Sequence, residues 1–173
     1  MAVPTTPSHM YLDTSVAAAA IIGGSAHSQA SQDFFAELAS ANSTVYFSRL
    51  VRIEVAQILK KYATKNLAPV SLQQTFELDR FSQNLMIRQR WLRFGMGQFD
   101  RLIHTFYRAY ELPIHKQTCQ HSEKIMAQYN LDSNDAIHVA TALRNNLRHL
   151  ATIDGDYTRV GELSVILVRD PLS

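Results

Sequence analysis

The sequence predicts one α/β domain over residues 1–173, built on a parallel β-sheet with helices on both sides. Three observations favour this fold class. Strand-like and helix-like segments alternate along the chain, which is typical of α/β proteins. Several strand-like runs are apolar throughout, as expected of parallel strands that are buried on both faces. The chain has 173 residues, 46% of them hydrophobic, which is enough for one sizeable core.

Short apolar runs and β-branched or aromatic residues mark the predicted strands. In chain order these are MYLD (10–13), TVYFS (44–48), LPIHK (112–116), HLATID (149–154) and LSVILV (163–168). Two of them, MYLD and HLATID, end in an acid. Because ligands bind at the carboxyl ends of strands in open α/β sheets, we expect these acids to project from the functional edge.

Helical periodicity and capping residues predict the segments between the strands. An Ala-rich helix follows MYLD and ends at Gly23-Gly24. The other predicted helices are 31–40 with a serine cap, a helix capped by Ser48 that extends through Lys61, and 71–94, 98–110, 119–130 and 133–143. The joint between the two middle helices is placed at Gly95-Met96-Gly97. We therefore expect an elongated helical segment, residues 71–110, within the domain.

Composition excludes several classes of protein. The single cysteine, Cys119, cannot build a disulfide framework and fits a reducing cytosol. The first residues lack the pattern of a signal peptide, and the longest apolar run, VAAAAII, is too short to span a bilayer. The chain also lacks a Gly-rich phosphate loop and a nucleophilic serine elbow. We expect a cytoplasmic protein without membrane contact.

The middle segment is strongly basic, although the net charge of the chain is only +2. Residues 80–108 hold six arginines against one acid, a local charge of +5. Aromatic residues such as Trp91 and Phe99 are interspersed among them, and arginines with aromatics can bind phosphates and stack bases. Arg88, Arg90 and Arg93 are therefore candidate RNA-binding residues. Alternatively, the aromatics pack inward and the arginines form a solvated face, or the segment binds a partner protein.

Four segments place an acid beside apolar sequence: MYLDTS (Asp13), SRLVRIEVAQIL (Glu54), SNDAIHVATAL (Asp135) and LATIDGDY (Asp154). Each acid alone has an ordinary explanation, as a helix cap, a helix-dipole partner, a solvated residue or a turn residue. Gathered at one edge, their like charges would raise each other's pKa. A hard divalent cation relieves that repulsion and supports hydrolysis of phosphodiesters.

In order, these four segments resemble the acidic motifs of the PIN-domain ribonucleases, and in particular those of the VapC-type toxins of bacterial toxin–antitoxin pairs. NDAIHVATAL carries the most specific likeness. The resemblance implies a five-stranded parallel sheet flanked by helices. It implies Mg²⁺ or Mn²⁺ held by Asp13, Glu54, Asp135 and Asp154, which act in catalysis, and RNA hydrolysed by a metal-activated water. It also implies a small antitoxin partner and a homodimer.

Other residues near the acids have supporting roles in this interpretation. The hydroxyls of Thr14, Ser15 and Thr152 are expected to hold the acids through hydrogen bonds. Asp156 either adds a water-mediated contact or only forms a turn, and His138 either touches the site or is structural. Two alternatives stay open for the function. One is a non-catalytic PIN-like module that binds RNA or protein. The other is a stand-alone RNA-processing nuclease, which the long interval between Glu54 and Asp135 favours.

Overall fold

A computed structural model of the chain describes residues 6–169. Its centre is a parallel sheet of five strands: β1 (His9–Leu12), β2 (Thr44–Ser48), β3 (Ala109–Leu112), β4 (His149–Thr152) and β5 (Ser164–Leu167). The strand order is β3-β2-β1-β4-β5, and every neighbouring pair is parallel. The predicted fold class is confirmed. The first strand, β1, lies at the centre of this sheet, and the last strand, β5, lies at one edge.

Helices connect the strands and cover the sheet. The described residues form α1 (Thr14–Ile22), α2 (Ser28–Ser40), α3 (Arg49–Thr64), α4 (Val70–Phe76), α5 (Leu85–His104), α6 (Lys116–Tyr129) and α7 (Ser133–Arg144). Two short 3₁₀ turns occur at Leu78–Arg80 and Gly155–Arg159. None of the helices in this part of the chain has both the length and the apolar character needed to cross a bilayer.

The sheet is buried on both faces, because successive side chains of a strand point to opposite sides. Met10 and Leu12 of β1 point into a core formed with helices α1 to α5. Tyr11 points into a second core, formed with α6 and α7. The result is a three-layer arrangement in which the ends of the parallel strands stay open at one edge.

The middle of the chain differs from the prediction. Gly95-Met96-Gly97 does not separate two helices, because α5 runs through it without interruption. A Cβ added at Gly95 would lie 2.3 Å from a methyl carbon of Leu59, so this glycine permits α5 to pack closely on α3. The actual break comes earlier, at Glu77, which has a left-handed backbone conformation. Asn84 then caps α5 by accepting hydrogen bonds from the amides of Met86 and Ile87.

The third strand was also misplaced by the sequence pattern. LPIHK (112–116) shares only Leu112 with β3, which instead begins at Ala109 and pairs with β2. Pro113 has no amide hydrogen to donate to a neighbouring strand, so the strand ends before it. The other differences are at boundaries: α2 begins at Ser28 without a serine side-chain cap, Ser48 precedes α3 without a side-chain capping bond, α3 extends to Thr64, and α6 begins at Lys116.

Candidate functional site

The four predicted acids line one pocket at the carboxyl edge of the sheet. Asp13 directly follows β1, and Asp154 lies two residues beyond the adjacent strand β4. Glu54 is in the second turn of α3, and Asp135 is in the first turn of α7. The pocket has a volume of about 220 Å³, and Thr14, Ser15, Gln57 and Ile58 complete its lining. The structure thus gathers the acids from four segments, and their role in catalysis stays a prediction.

Asp13 is the most tightly held acid of the pocket, with only 5% of its surface exposed. Its Oδ2 accepts hydrogen bonds from the Ser15 hydroxyl at 2.5 Å, the Thr152 hydroxyl at 2.9 Å and the Ser15 amide at 3.3 Å. The hydrogen bond from the Ser15 amide also caps α1. Asp13 is therefore both a helix cap and a residue of the pocket. Ser15 and Thr152 therefore make the contacts that were expected of them.

Glu54 is held by donors from three directions. Its Oε2 accepts a hydrogen bond from the Thr14 hydroxyl at 2.5 Å and lies 2.8 Å from His138 Nε2. Its Oε1 accepts one from the Asn134 amide at 2.7 Å. Burial alone would raise the pKa of Glu54, but the hydrogen bonds from His138 and Thr14 lower it. Glu54 is consequently ionised at neutral pH, in contrast to the expectation that clustering would raise the pKa of every acid.

His138 belongs to this site rather than to an unrelated part of the core. It is fully buried, its Nδ1 lies 2.9 Å from the Tyr11 hydroxyl, and its Nε2 contacts Glu54 and lies 3.7 Å from Asp13 Oδ1. Burial would lower the pKa of His138, but the hydrogen bond to Glu54 and the charge of Asp13 raise it. The ring contacts Glu54 through Nε2, so His138 touches the site, which is one of the two roles considered for it.

Tyr157 links Asp135 to Asp13, and no sequence pattern had predicted this role. Its fully buried hydroxyl lies 3.0 Å from Asp135 Oδ1 and 3.1 Å from Asp13 Oδ1. Burial, followed by the charges of Asp13 and Asp154, raises the pKa of Asp135 to about 6. Charge repulsion therefore contributes as expected, but burial is the larger cause. The only sequence signal for Tyr157 was its position one residue after the Asp154-Gly155-Asp156 turn.

Asp154 and Asp156 have different environments. Asp154 lines the pocket, and its Oδ1 also accepts a hydrogen bond from the Asp156 amide at 2.8 Å, which caps the 3₁₀ turn. Asp156 is exposed, and its carboxylate pairs with Arg159 at 2.6 Å. The turn interpretation of Asp156 is therefore the one that the geometry favours.

The arginine-rich segment lies outside the acid pocket. Trp91 and Phe99 are fully buried, which agrees with the inward packing considered above. Arg88 donates a hydrogen bond to the Ser82 carbonyl at 2.8 Å, and the Arg90 guanidinium lies 5.9 Å from the centre of the Phe76 ring. Arg88 and Arg90 therefore already have partners within the protein. RNA binding by Arg88, Arg90 and Arg93 stays a prediction.

A larger groove, which the sequence did not predict, adjoins the acid pocket. It has a volume of about 690 Å³ and lies between α3 and α5. Its lining combines apolar and charged side chains, namely Ile53, Ala56, Leu92, Met96, Arg49, Arg52, Lys60 and Glu111. Gln57 lines both the groove and the pocket, so the two cavities are neighbours.

The donor chemistry of the pocket suits a hard divalent cation, because its ionisable lining is made of carboxylates. Within residues 6–169, no three histidine, cysteine or acidic side chains converge as a complete ligand set. Mg²⁺ does not require such a set, since it is usually bound through one or two carboxylates and keeps several waters. The residues present therefore fit such a cation.

Comparison with known proteins adds to this geometry. A family model described as PIN domain matches residues 10–163. No curated protein matches the chain. The solved structures that share the fold include two with 16% sequence identity each. The structure of VapBC2 from Rickettsia felis bound to a DNA fragment from its promoter aligns with a TM-score of 0.57, over 91% of this chain and 97% of that one. The structure of VapC20 from Mycobacterium tuberculosis, a toxin that cleaves the sarcin-ricin loop, aligns with a TM-score of 0.62, over 93% of this chain and 99% of that one.

Proposed function

The chain belongs to the PIN domain family, and we propose that it is a Mg²⁺- or Mn²⁺-dependent endoribonuclease that hydrolyses RNA phosphodiester bonds. One observation carries the proposal: carboxylates from four separate segments line a single pocket at the carboxyl edge of the sheet. Stability does not require such an arrangement, because clustered carboxylates repel each other. A binding module without catalysis would have no need to retain all four.

In this proposal Asp13, Glu54, Asp135 and Asp154 hold the cation, one or two of them directly and the others through the waters that such a cation keeps. When bound, such a cation lowers the pKa of a water and stabilises charge on a phosphoryl oxygen. The hydroxyls of Thr14, Ser15 and Thr152 hold the Glu54 and Asp13 carboxylates in position, at the distances given above. An RNA phosphate would be repelled by the four carboxylates alone, so binding of the substrate depends on neutralisation of the pocket.

We also propose that the protein acts as the toxin of a toxin–antitoxin pair. Support comes from the fold shared with the Rickettsia felis and Mycobacterium tuberculosis structures. The groove between α3 and α5 is lined by apolar side chains and by three cationic residues, two of which pair with Glu111, so it suits a partner segment that is mainly apolar with some acidic side chains. Because Gln57 lines both cavities, a partner in the groove would also obstruct access to the acids. We also propose that the protein forms a homodimer and is located in the cytoplasm.

The test is cleavage of a fluorescently labelled RNA by the purified chain in the presence of Mg²⁺ or Mn²⁺. We expect cleavage to stop when the metal is chelated, and to stop in Asp135→Asn, which keeps the size of the side chain. Asp132→Asn is the matched control, because Asp132 is exposed, directly precedes α7 and does not line the pocket. Cleavage by Asp135→Asn at the parent rate would refute the assignment. RNA binding without cleavage by the parent would favour the non-catalytic module.

If the parent cleaves RNA, the partner distinguishes the two nuclease alternatives. A small protein encoded beside the chain that binds it and inhibits cleavage supports the toxin. A chain that has no such neighbour and processes a defined RNA supports a stand-alone nuclease.

A further inference from the structure

Tyr157 joins two acids of the pocket through a single atom. Its hydroxyl lies within hydrogen-bonding distance of Asp13 Oδ1, at 3.1 Å, and of Asp135 Oδ1, at 3.0 Å. The two acids come from different elements, since Asp13 follows β1 and Asp135 lies in the first turn of α7. Tyr157 itself lies on the 3₁₀ turn that Asp154 caps. Three separate segments of the chain therefore meet at this hydroxyl.

The ring and the hydroxyl of Tyr157 serve different purposes. The ring is fully buried and packs in the core between the sheet and helices α6 and α7. A phenylalanine would fill the same space, so packing does not explain the hydroxyl. A buried hydroxyl needs a hydrogen-bond partner, and here both neighbours are acids of the proposed site. The additional oxygen of tyrosine is thus directed at the two carboxylates.

The other contacts of Asp13 and Asp135 show which carboxylate oxygens the Tyr157 hydroxyl holds. Asp13 Oδ2 is already held by Ser15 and Thr152, so its second oxygen, Oδ1, is the one that Tyr157 reaches. Asp135 has no such serine or threonine support. Within residues 6–169, its Oδ1 is held by Tyr157, and its Oδ2 has no hydrogen-bond donor. Without the Tyr157 hydroxyl, no donor among residues 6–169 would hold the Asp135 carboxylate in its orientation.

We propose that Tyr157 is a positioning residue of the cation site, whose hydroxyl fixes the spacing and orientation of Asp13 and Asp135 before a cation binds. This inference rests on the proposed function of the pocket. A site that is arranged in advance binds more tightly, because binding does not have to offset the cost of ordering its ligands. Residues that orient metal ligands typically change metal affinity about 10- to 100-fold when they are replaced.

Tyr157→Phe tests the proposal, because it removes the hydroxyl and keeps the ring. We expect the dissociation constant for Mn²⁺, measured from the paramagnetic resonance signal of the free ion, to rise about tenfold. Circular dichroism with a chelator present is expected to show a folded protein. Tyr129→Phe is the matched control. It also removes a tyrosine hydroxyl bonded to an acid, Glu162, but this pair does not line the pocket. Its affinity for Mn²⁺ should equal that of the parent.

The outcomes separate this inference from the proposed function. If the parent binds Mn²⁺ and Asp135→Asn abolishes binding, the pocket is a cation site; an unchanged affinity in folded Tyr157→Phe then overturns only the role of Tyr157. If Asp135→Asn binds Mn²⁺ as the parent does, the site and the role of Tyr157 both fall. Should Tyr157→Phe not fold, fluorotyrosine introduced at position 157 alone keeps the inference testable. Its fluorine resonance is expected to shift on addition of Mg²⁺, and a resonance that stays in place at saturation overturns the proposal.

Discussion

The acid pocket and the groove between α3 and α5 are neighbours that share Gln57, but they differ in size and in the polarity of their linings. The pocket is small and polar, and Asp13 and Glu54 receive several hydrogen bonds each. The groove is about three times larger and exposes apolar side chains such as Ile53, which is 52% accessible. Fixed polar groups are what catalysis requires, whereas an exposed apolar surface with a charged margin is typical of a recognition site.

The comparison also shows where the two sites obtain their stability. In the pocket, hydroxyls and His138 offset the cost of burying carboxylates, so each contact depends on the others. In the groove, the exposed apolar side chains contribute little to the core, and a bound partner would bury them. Substitutions in the pocket should therefore affect chemistry and leave partner binding intact, and those in the groove should do the opposite.

The largest effect is expected for Asp13→Asn. We expect RNA cleavage to fall about a thousandfold or more, since the interaction of a metal with the charge developing in the reaction is worth several kcal/mol. Initial rates on a labelled RNA measure this effect. Binding of the proposed antitoxin, followed by calorimetry, should stay within about twofold of the parent. Loss of both properties together would show that the pocket and the groove are not independent.

An intermediate effect is expected for Ile53→Asp in the groove. An acid at this exposed apolar position should weaken binding of the proposed antitoxin segment, with its apolar and acidic side chains, by about 2 kcal/mol, or roughly 30-fold. Cleavage in the absence of antitoxin should stay close to that of the parent. Leu85→Asp is the matched control, because Leu85 is also exposed but lies outside the groove. Equal weakening by both variants would mean that the groove is not the binding surface.

The difference between the two sites also explains what the sequence could predict. The four acids were predictable because each follows a strand or lies near a helix start within a recognisable local pattern. The fold followed from the alternation of apolar strands and helices, and the structure confirms the parallel sheet and, to within about two residues, four of the five strand positions, the exception being β3. These features depend mainly on residues that are near each other in the chain.

Features that depend on distant residues were not predictable. The groove forms only because α5 packs against α3, and Gly95, interpreted as a break, is the residue that permits this close approach to Leu59. The contact of His138 with Glu54 joins residues 84 positions apart, and that of Tyr157 with Asp13 joins residues 144 apart. Neither pair leaves a local signal, because the sheet topology alone brings the partners together.

The smallest effect is expected on stability, for Asp135→Asn without metal. Because the folded pKa of Asp135 is about 6, above its ordinary value of 3.8, the folded parent binds more protons than the unfolded chain between these values, and its stability falls as the pH rises through them. Asparagine does not titrate but still accepts the hydrogen bond of Tyr157. After allowance for partial solvent exposure, we expect the variant to be about 1 kcal/mol more stable above about pH 6, which raises Tm by about 2–4 °C. Below about pH 4 the difference in stability between the variant and the parent should vanish.

Thermal melts with a chelator, one above about pH 6 and one below about pH 4, measure this change in stability, with Asp132→Asn as control. A variant that melts below the parent at neutral pH would show that the Asp135 carboxylate stabilises the empty pocket, and the proposed separation between catalytic chemistry and folding stability would then be wrong.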